Sequence, residues 1–241
     1  MAQLFAGTSG WAYPSWKPEF YPEKLAQKKF LSYYATRLNT VEVNFTFRQL
    51  VKETTIRNWM QETPPHFRFG VKAHQVITHI KRLKGTEDFV PRFLATIEPL
   101  AAAGKLGPVL FQLPPNLKFE PTLLGDFLAV LPRTVPAAFE FRHASWFVDE
   151  TWQLLKDRNV ALCVAETETM TTPDVVTAAF TYYRFRKPTY TGGERASMTD
   201  RIRQHIADGR DVYAYFKHEE TPAGALYAVE TLRELGGMES A

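Results

Sequence analysis

Residues 137–142 read Ala137-Ala138-Phe139-Glu140-Phe141-Arg142. Side chains on a strand alternate between its two faces. Phe139 and Phe141 therefore share one face, and Glu140 and Arg142 share the other. The apolar face suits a layer of helices, and the charged face suits the inside of a barrel. The same parity recurs elsewhere. Residues 40–44 (TVEVN) put Glu42 and Asn44 opposite Val41 and Val43. Residues 67–72 (FRFGVK) put Arg68, Gly70 and Lys72 opposite Phe69 and Val71. Gln112 opposes Phe111. Tyr213, Tyr215 and Lys217 oppose Val212, Ala214 and Phe216, and Arg184 ends another such run.

Outward from these runs, the chain alternates strand-like and helix-like stretches. Strands are expected at Leu4–Thr8, Thr40–Asn44, Phe67–Lys72, Pro108–Gln112, Ala137–Arg142, Val160–Ala165, Ala178–Arg184 and Asp211–Lys217. Helices are expected at Glu23–Leu38, Glu53–Gln61, Phe89–Ala103, Pro121–Leu131, Asp149–Arg158, Arg195–Ala207 and Ala223–Leu235. Between Glu166 and Thr177 no helix pattern is visible. Eight strands alternating with helices predict parallel βα units, and eight in one domain predict an α/β fold, the (β/α)8 TIM-type barrel. The chain of 241 residues is the length of one such barrel, so residues 1–241 read as a single domain.

The composition is that of a globular protein, 45% hydrophobic and 23% charged, with a net charge of only +3. The one cysteine, Cys163, lies in an apolar run, which fits a reducing compartment. No signal peptide reads from the N-terminus, and no apolar run approaches the ~18 residues of a membrane span, so a cytoplasmic protein with no membrane partner is expected. No G-x-G-x-x-G or P-loop follows any strand, so a nucleotide cofactor lacks its signature, and the cofactor is otherwise unknown.

The polar residues gather at the C-terminal ends of their strands, the rim where barrel enzymes place their chemistry. Glu42, Asn44, Lys72, Gln112, Glu140, Arg142, Arg184 and Lys217 form this set. Internal ion pairs are expected within it, Glu140 with Lys72 or Arg184 and Glu42 with Arg142, because a buried charge needs a partner.

At these same residues the chain resembles the YecE-like family, domain of unknown function 72. The resemblance rests on Gly7-Thr8-Ser9-Gly10-Trp11 with Trp16 and Phe20-Tyr21-Pro22. It continues through residues 40–44 with Thr46-Phe47, then Lys72 with Thr78-His79 and Arg82-Leu83. Residues 107–115 (GPVLFQLPP), Glu140-Phe141-Arg142-His143 with Ser145-Trp146, and Tyr213-x-Tyr215-Phe216 complete it. It implies a barrel and names no reaction. Two segments depart from the family pattern. An Arg-x-His-Gly-like segment is replaced by Arg184-Phe185-Arg186-Lys187, and Asn residues after the last strand by Lys217-His218-Glu219.

Cations at the rim (Lys72, Arg82, Arg142, Arg184, Lys217) suit an anionic ligand, and loop aromatics (Trp11, Phe45, Trp146, Tyr190) suit stacking on a base or sugar. The expectation is an enzyme acting on a phosphate-bearing or other anionic substrate, a small molecule or nucleic acid, as a hydrolase of phosphoesters. Glu42 or Glu140 would be the acid/base, with His79 or His143 as a second proton carrier, and Trp11, Asn44, Lys72, Arg82, Gln112, Arg142, Trp146, Arg184 and Lys217 would bind substrate. The alternative is a binding protein without chemistry. A glycosidase using Glu42 and Glu140 is a minor option, which the surplus of cations opposes. Metal candidates are Glu42, His74, Glu140, His143, Glu166 and His218. No H-x-H or H-E-x-x-H pair links them, and the nearby Lys and Arg would repel a dication, so no metal is assigned. The oligomeric state is not readable.

Overall fold

The computed structural model describes residues 1–166, 170–217 and 220–236. Eight parallel strands close a barrel in chain order: β1 (Leu4–Ser9), β2 (Thr40–Val43), β3 (Arg68–Lys72), β4 (Leu106–Gln112), β5 (Ala137–Glu140), β6 (Ala161–Ala165), β7 (Phe180–Phe185) and β8 (Asp211–Phe216). The helices are α1 (Phe30–Tyr34), α2 (Glu53–Gln61), α3 (Phe89–Ala102), α4 (Pro121–Val130), α5 (Asp149–Asp157), α6 (Gly192–Ala207) and α7 (Ala223–Glu234). This is the (β/α)8 barrel expected from the alternation. Among the described residues no helix is long and apolar enough to cross a membrane.

One departure from expectation has a physical cause. The helix expected over Glu23–Leu38 shrinks to a 3-10 turn at Gln27–Lys29 and the five residues of α1. Ala26 is extended, and Tyr21 stacks on Phe30 at 4.1 Å, so the chain folds back on its own aromatic cluster instead of continuing a helix. The stretch after β6 follows expectation: among the described residues no helix joins β6 to β7. There the Thr177 hydroxyl donates to Val160 O at 2.7 Å and accepts from Leu162 N at 2.7 Å, and Asp174 accepts from Tyr183 OH at 3.1 Å.

The parity reading holds inside and out. Val41, Val43, Phe69, Val71, Phe111, Phe139 and Phe141 are fully buried against the helix layer. Inside the barrel a separate cluster forms from Phe5, Leu110, Ala138, Ala161, Cys163, Ala165, Tyr182, Tyr213 and Tyr215. β6 contributes only Ala, Cys and Ala to it, small residues that leave room for three tyrosines from β7 and β8. Above this apolar plug the interior turns polar, and that layer is the floor of the mouth.

Glycine is required where backbones or rings close in. A Cβ on Gly7 would lie 1.9 Å from Thr40 O, between β1 and β2, where Tyr34 OH also donates to Thr40 O. A Cβ on Gly70 would lie 2.5 Å from Tyr215 OH, which shares a hydrogen bond with Thr40 Oγ1 at 3.0 Å. Gly70→Ala should therefore cost about 1–3 kcal/mol in urea unfolding, the usual range for overpacking. Combining it with Tyr215→Phe should restore part of that loss, a non-additivity measured by a double-mutant cycle. Additive losses would show that the ring does not press on this glycine.

Candidate active site at the barrel mouth

β2, β5 and β7 each bring one long charged side chain to the same height inside the barrel. Arg184 from β7 is buried between Glu42 from β2 and Glu140 from β5. Its Nη2 donates to Glu42 Oε1 at 2.7 Å, and its Nη1 donates to Glu140 Oε2. Glu42 also accepts from Ser9 Oγ at 2.8 Å and Tyr182 OH at 2.6 Å. Glu140 accepts from Gln112 Nε2 at 2.8 Å and Arg142 Nε at 2.9 Å, and Arg186 Nη1 lies 3.5 Å from its Oε1. The other end of Gln112 accepts from Lys72 Nζ at 2.9 Å.

The expected pairing is thus half met. Glu140 pairs with Arg184. Glu42 pairs with Arg184 and not with Arg142, which reaches Glu140 from two positions along the same chain. Lys72 reaches Glu140 only through the Gln112 amide. Arg186, absent from the sequence-based set, joins the site because it repeats the parity of Arg184 beyond the strand end. It is also the position where the family pattern has His.

Electrostatics fix the charge states. Burial alone would raise the Glu42 pKa, but Arg184 and the hydrogen bonds from Tyr182 and Ser9 outweigh it, and the carboxyl lies below its ordinary value. Glu140 is held well below the ordinary range, since Arg184, Arg142 and Arg186 together outweigh its burial. Both groups are carboxylates with their oxygens engaged. Lys72 moves the other way. Burial and then Arg184 push its ammonium down to about 8.

The remaining predicted residues sit around this core. His79, in the π-helical turn Val76–Ile80, has Nδ1 2.8 Å from Thr78 Oγ1 and its ring against Phe47. Its pKa is lowered, by burial and then by Lys72, Arg142 and Arg82. Arg82 has a positive φ of 48° and donates to Asn116 Oδ1 at 3.0 Å on the outer rim. His143 accepts from Ser145 N through Nδ1 and so caps the short turn Ala144–Trp146. Asn44 is half-buried, and its Oδ1 is buried with no donor among the described residues. Lys217 continues β8, its N–H on Phe185 O at 2.9 Å.

The aromatics expected to offer a stacking face are mostly core. Trp146 is fully buried, stacked on Phe141 at 4.6 Å, with its indole N–H on Leu117 O at 2.8 Å, so it presents nothing to a ligand. Tyr190 is buried, with its hydroxyl on Glu166 Oε2 at 3.2 Å. Trp11 is half-buried and packs edge-on against Trp59. Phe45 alone of the four is exposed. Among the metal candidates, Glu42 and Glu140 are taken up by Arg184, and His218 lies outside the described residues.

Residues 5–241 match the profile of the family described as Protein of unknown function DUF72. The chain belongs to that family. It is similar to the UPF0759 protein YunF of Bacillus subtilis, 31% identical over 150 residues that make up 60% of this chain and 52% of the relative. It is equally similar to the UPF0759 protein YecE of Escherichia coli K12, 31% identical over 145 residues, 60% of this chain and 50% of that one. The chain thus spans about half the length of these curated relatives. A crystal structure of a DUF72 family protein from Thermotoga maritima superposes with a TM-score of 0.85 at 25% identity, covering 97% of this chain and 99% of that one.

Arg184→Met would leave Glu42 buried without a cation. The expected cost is about 3–5 kcal/mol in urea unfolding near neutral pH. The pH dependence supplies an independent check. In the native protein both folded-state pKa values are depressed, so their stabilisation is present above the ordinary carboxylate value and is lost as pH falls below it. In the variant the pKa of Glu42 rises, so stability should increase between about pH 7 and about pH 5 as the group takes up a proton. A variant that loses stability over that interval would refute the central role of Arg184.

Proposed function

We propose that the barrel mouth binds the oxyanion of an anionic substrate, a phosphate or a carboxylate, and carries out acid–base chemistry on it. The charge balance of the mouth carries this reading. Lys72, Arg142, Arg184 and Arg186 meet two carboxylates, Glu42 and Glu140. The donors exceed the acceptors as well as the charges: Nη1 of Arg186 and Nε of Arg184 are buried with no hydrogen bond among the described residues. Uncompensated cations gathered out of water repel one another, and an oxyanion relieves both the charge and the orphaned donors. Guanidinium groups match phosphate and carboxylate with two parallel hydrogen bonds.

The proton work falls to other residues than the two glutamates. Glu42 and Glu140 are ionised and engaged, so neither has a proton to give. His79 is neutral at neutral pH and lies among the rim cations, which suits a group that accepts and returns a proton. A glycosidase needs one carboxyl protonated, and here both are clamped to one guanidinium. A phosphoester fits the site, and a nucleic acid would offer the same oxyanion along a chain. The full engagement of both carboxylates favours one second reading, an anion-binding protein without turnover. Cys163, single and buried, supports a reducing, cytoplasmic setting.

A thermal-shift series tests the reading, using inorganic phosphate, nucleoside monophosphates, short oligonucleotides and neutral sugars. Phosphate-bearing ligands should raise Tm by a few degrees at concentrations well above Kd, as ligand linkage requires. Arg142→Ala and Arg186→Ala should each remove most of that rise. Stabilisation by neutral sugars alone, unchanged in the variants, would overturn it. Oligonucleotides that outperform mononucleotides would identify the nucleic-acid form of the same site.

A further inference from the structure

Lys72 is the ionisable group of the mouth that the ion-pair network bypasses. It ends β3 with its side chain directed inward, half-buried beside Gln112. Among the described residues Lys72 makes no direct ion pair with Glu140. Instead the Gln112 amide stands between them, taking Lys72 Nζ on its oxygen at 2.9 Å and giving its N–H to Glu140 at 2.8 Å. The amine therefore bonds to a neutral acceptor, where burial and then Arg184 and Arg142 disfavour its charged form and Glu42 and Glu140 offset them only in part. Its Nζ also sits 4.2 Å from the centroid of the Phe47 ring. That same ring packs at right angles to His79, at 4.9 Å between ring centroids.

We propose that Lys72 is a nucleophile that forms an iminium with the aldehyde or ketone carbonyl of the anionic substrate. This deepens the anion-binding reading and rests on it: the guanidinium groups hold the oxyanion, and the amine attacks a carbonyl on the same molecule. Desolvation among neighbouring cations is the setting that frees a lysine amine near neutral pH. The depressed Lys72 pKa agrees with it.

The step balances without an oxidant or reductant. The Nζ lone pair forms a C–N bond to the carbonyl carbon as the C–O π bond breaks, and the proton leaving nitrogen is passed to oxygen. A second proton on that oxygen lets water depart while the nitrogen lone pair forms the C=N bond. Amine, carbonyl and one proton become a protonated iminium and water. His79 is the group placed to relay these protons. The substrate class is a small carbonyl compound that carries a carboxylate or a phosphate.

Reductive trapping tests this. The 241-residue chain is incubated with glyoxylate, pyruvate or dihydroxyacetone phosphate, with acetone as the neutral control, and treated with cyanoborohydride. Intact mass and peptide mapping then locate the adduct. The expected result is one adduct, on Lys72, forming faster as pH rises through about 8. It should be absent in Lys72→Arg, which keeps the charge, and circular dichroism confirms that this variant is folded. Arg142→Ala should slow adduct formation with glyoxylate by about tenfold more than with acetone, as expected for one lost charge-assisted hydrogen bond, since any change in the Lys72 amine itself acts on both carbonyls alike. Adducts spread over surface lysines, or none, in a protein that phosphate stabilises would overturn the nucleophile and leave the anion site standing. An adduct on Lys72 formed equally by acetone and glyoxylate would uphold the nucleophile and overturn the anion site.

Discussion

A guanidinium held between two carboxylates in the middle of a barrel sets the terms for everything above and below it. Arg184 is buried, and its cost of desolvation is met only because Glu42 and Glu140 approach from β2 and β5. That arrangement requires strands on opposite sides of the sheet to reach one height, so the closure of the barrel and the ion cluster depend on each other. It also separates two regimes. Below lies an apolar plug of tyrosines facing small residues of β6. Above lies a mouth where Arg142 and Arg186 share Glu140 with Arg184, and Lys72 reaches it only through Gln112.

The charge states follow from the same clamp. A buried Glu is ordinarily hard to ionise, yet these two are ionised because cations and hydrogen-bond donors outnumber them. They hold Arg184, Arg142 and Gln112 in place, and the clamp leaves outside it Lys72 and His79, whose pKa values are both lowered. Expecting Glu42 or Glu140 as the acid/base followed from residue type alone, and the donors around each of them hold both as carboxylates.

The barrel and the composition of its mouth were legible in the sequence because both rest on a period of two. Alternation fixes which side of a strand a residue faces, and Glu42, Lys72, Gln112, Glu140 and Arg184 all point where parity places them. What sequence could not fix was who meets whom across the barrel, since stagger between strands decides that Arg184 and not Arg142 reaches Glu42. Arg186 was missed although it obeys the same parity, because it lies past the strand proper. Trp146 was misjudged for the opposite reason: its position in a loop suggested access, but the turn capped by His143 folds the ring back under Phe119 and Phe141. The first helix failed because a helical spacing of apolar residues says nothing about an aromatic stack that closes sooner.

Gln112 has a wider meaning than its two hydrogen bonds. Its amide is nearly isosteric with a carboxylate, but exchanging its nitrogen for an oxygen would set that oxygen against Glu140 Oε2, where the amide now donates. Two carboxylates at that distance would have to share a proton or move apart. A side chain of this shape can receive an ammonium at one end and give a proton to a carboxylate at the other only as an amide. The wiring of the mouth is therefore keyed to the orientation of one amide: turned over, it would set its N–H groups against the Lys72 ammonium and its oxygen against Glu140.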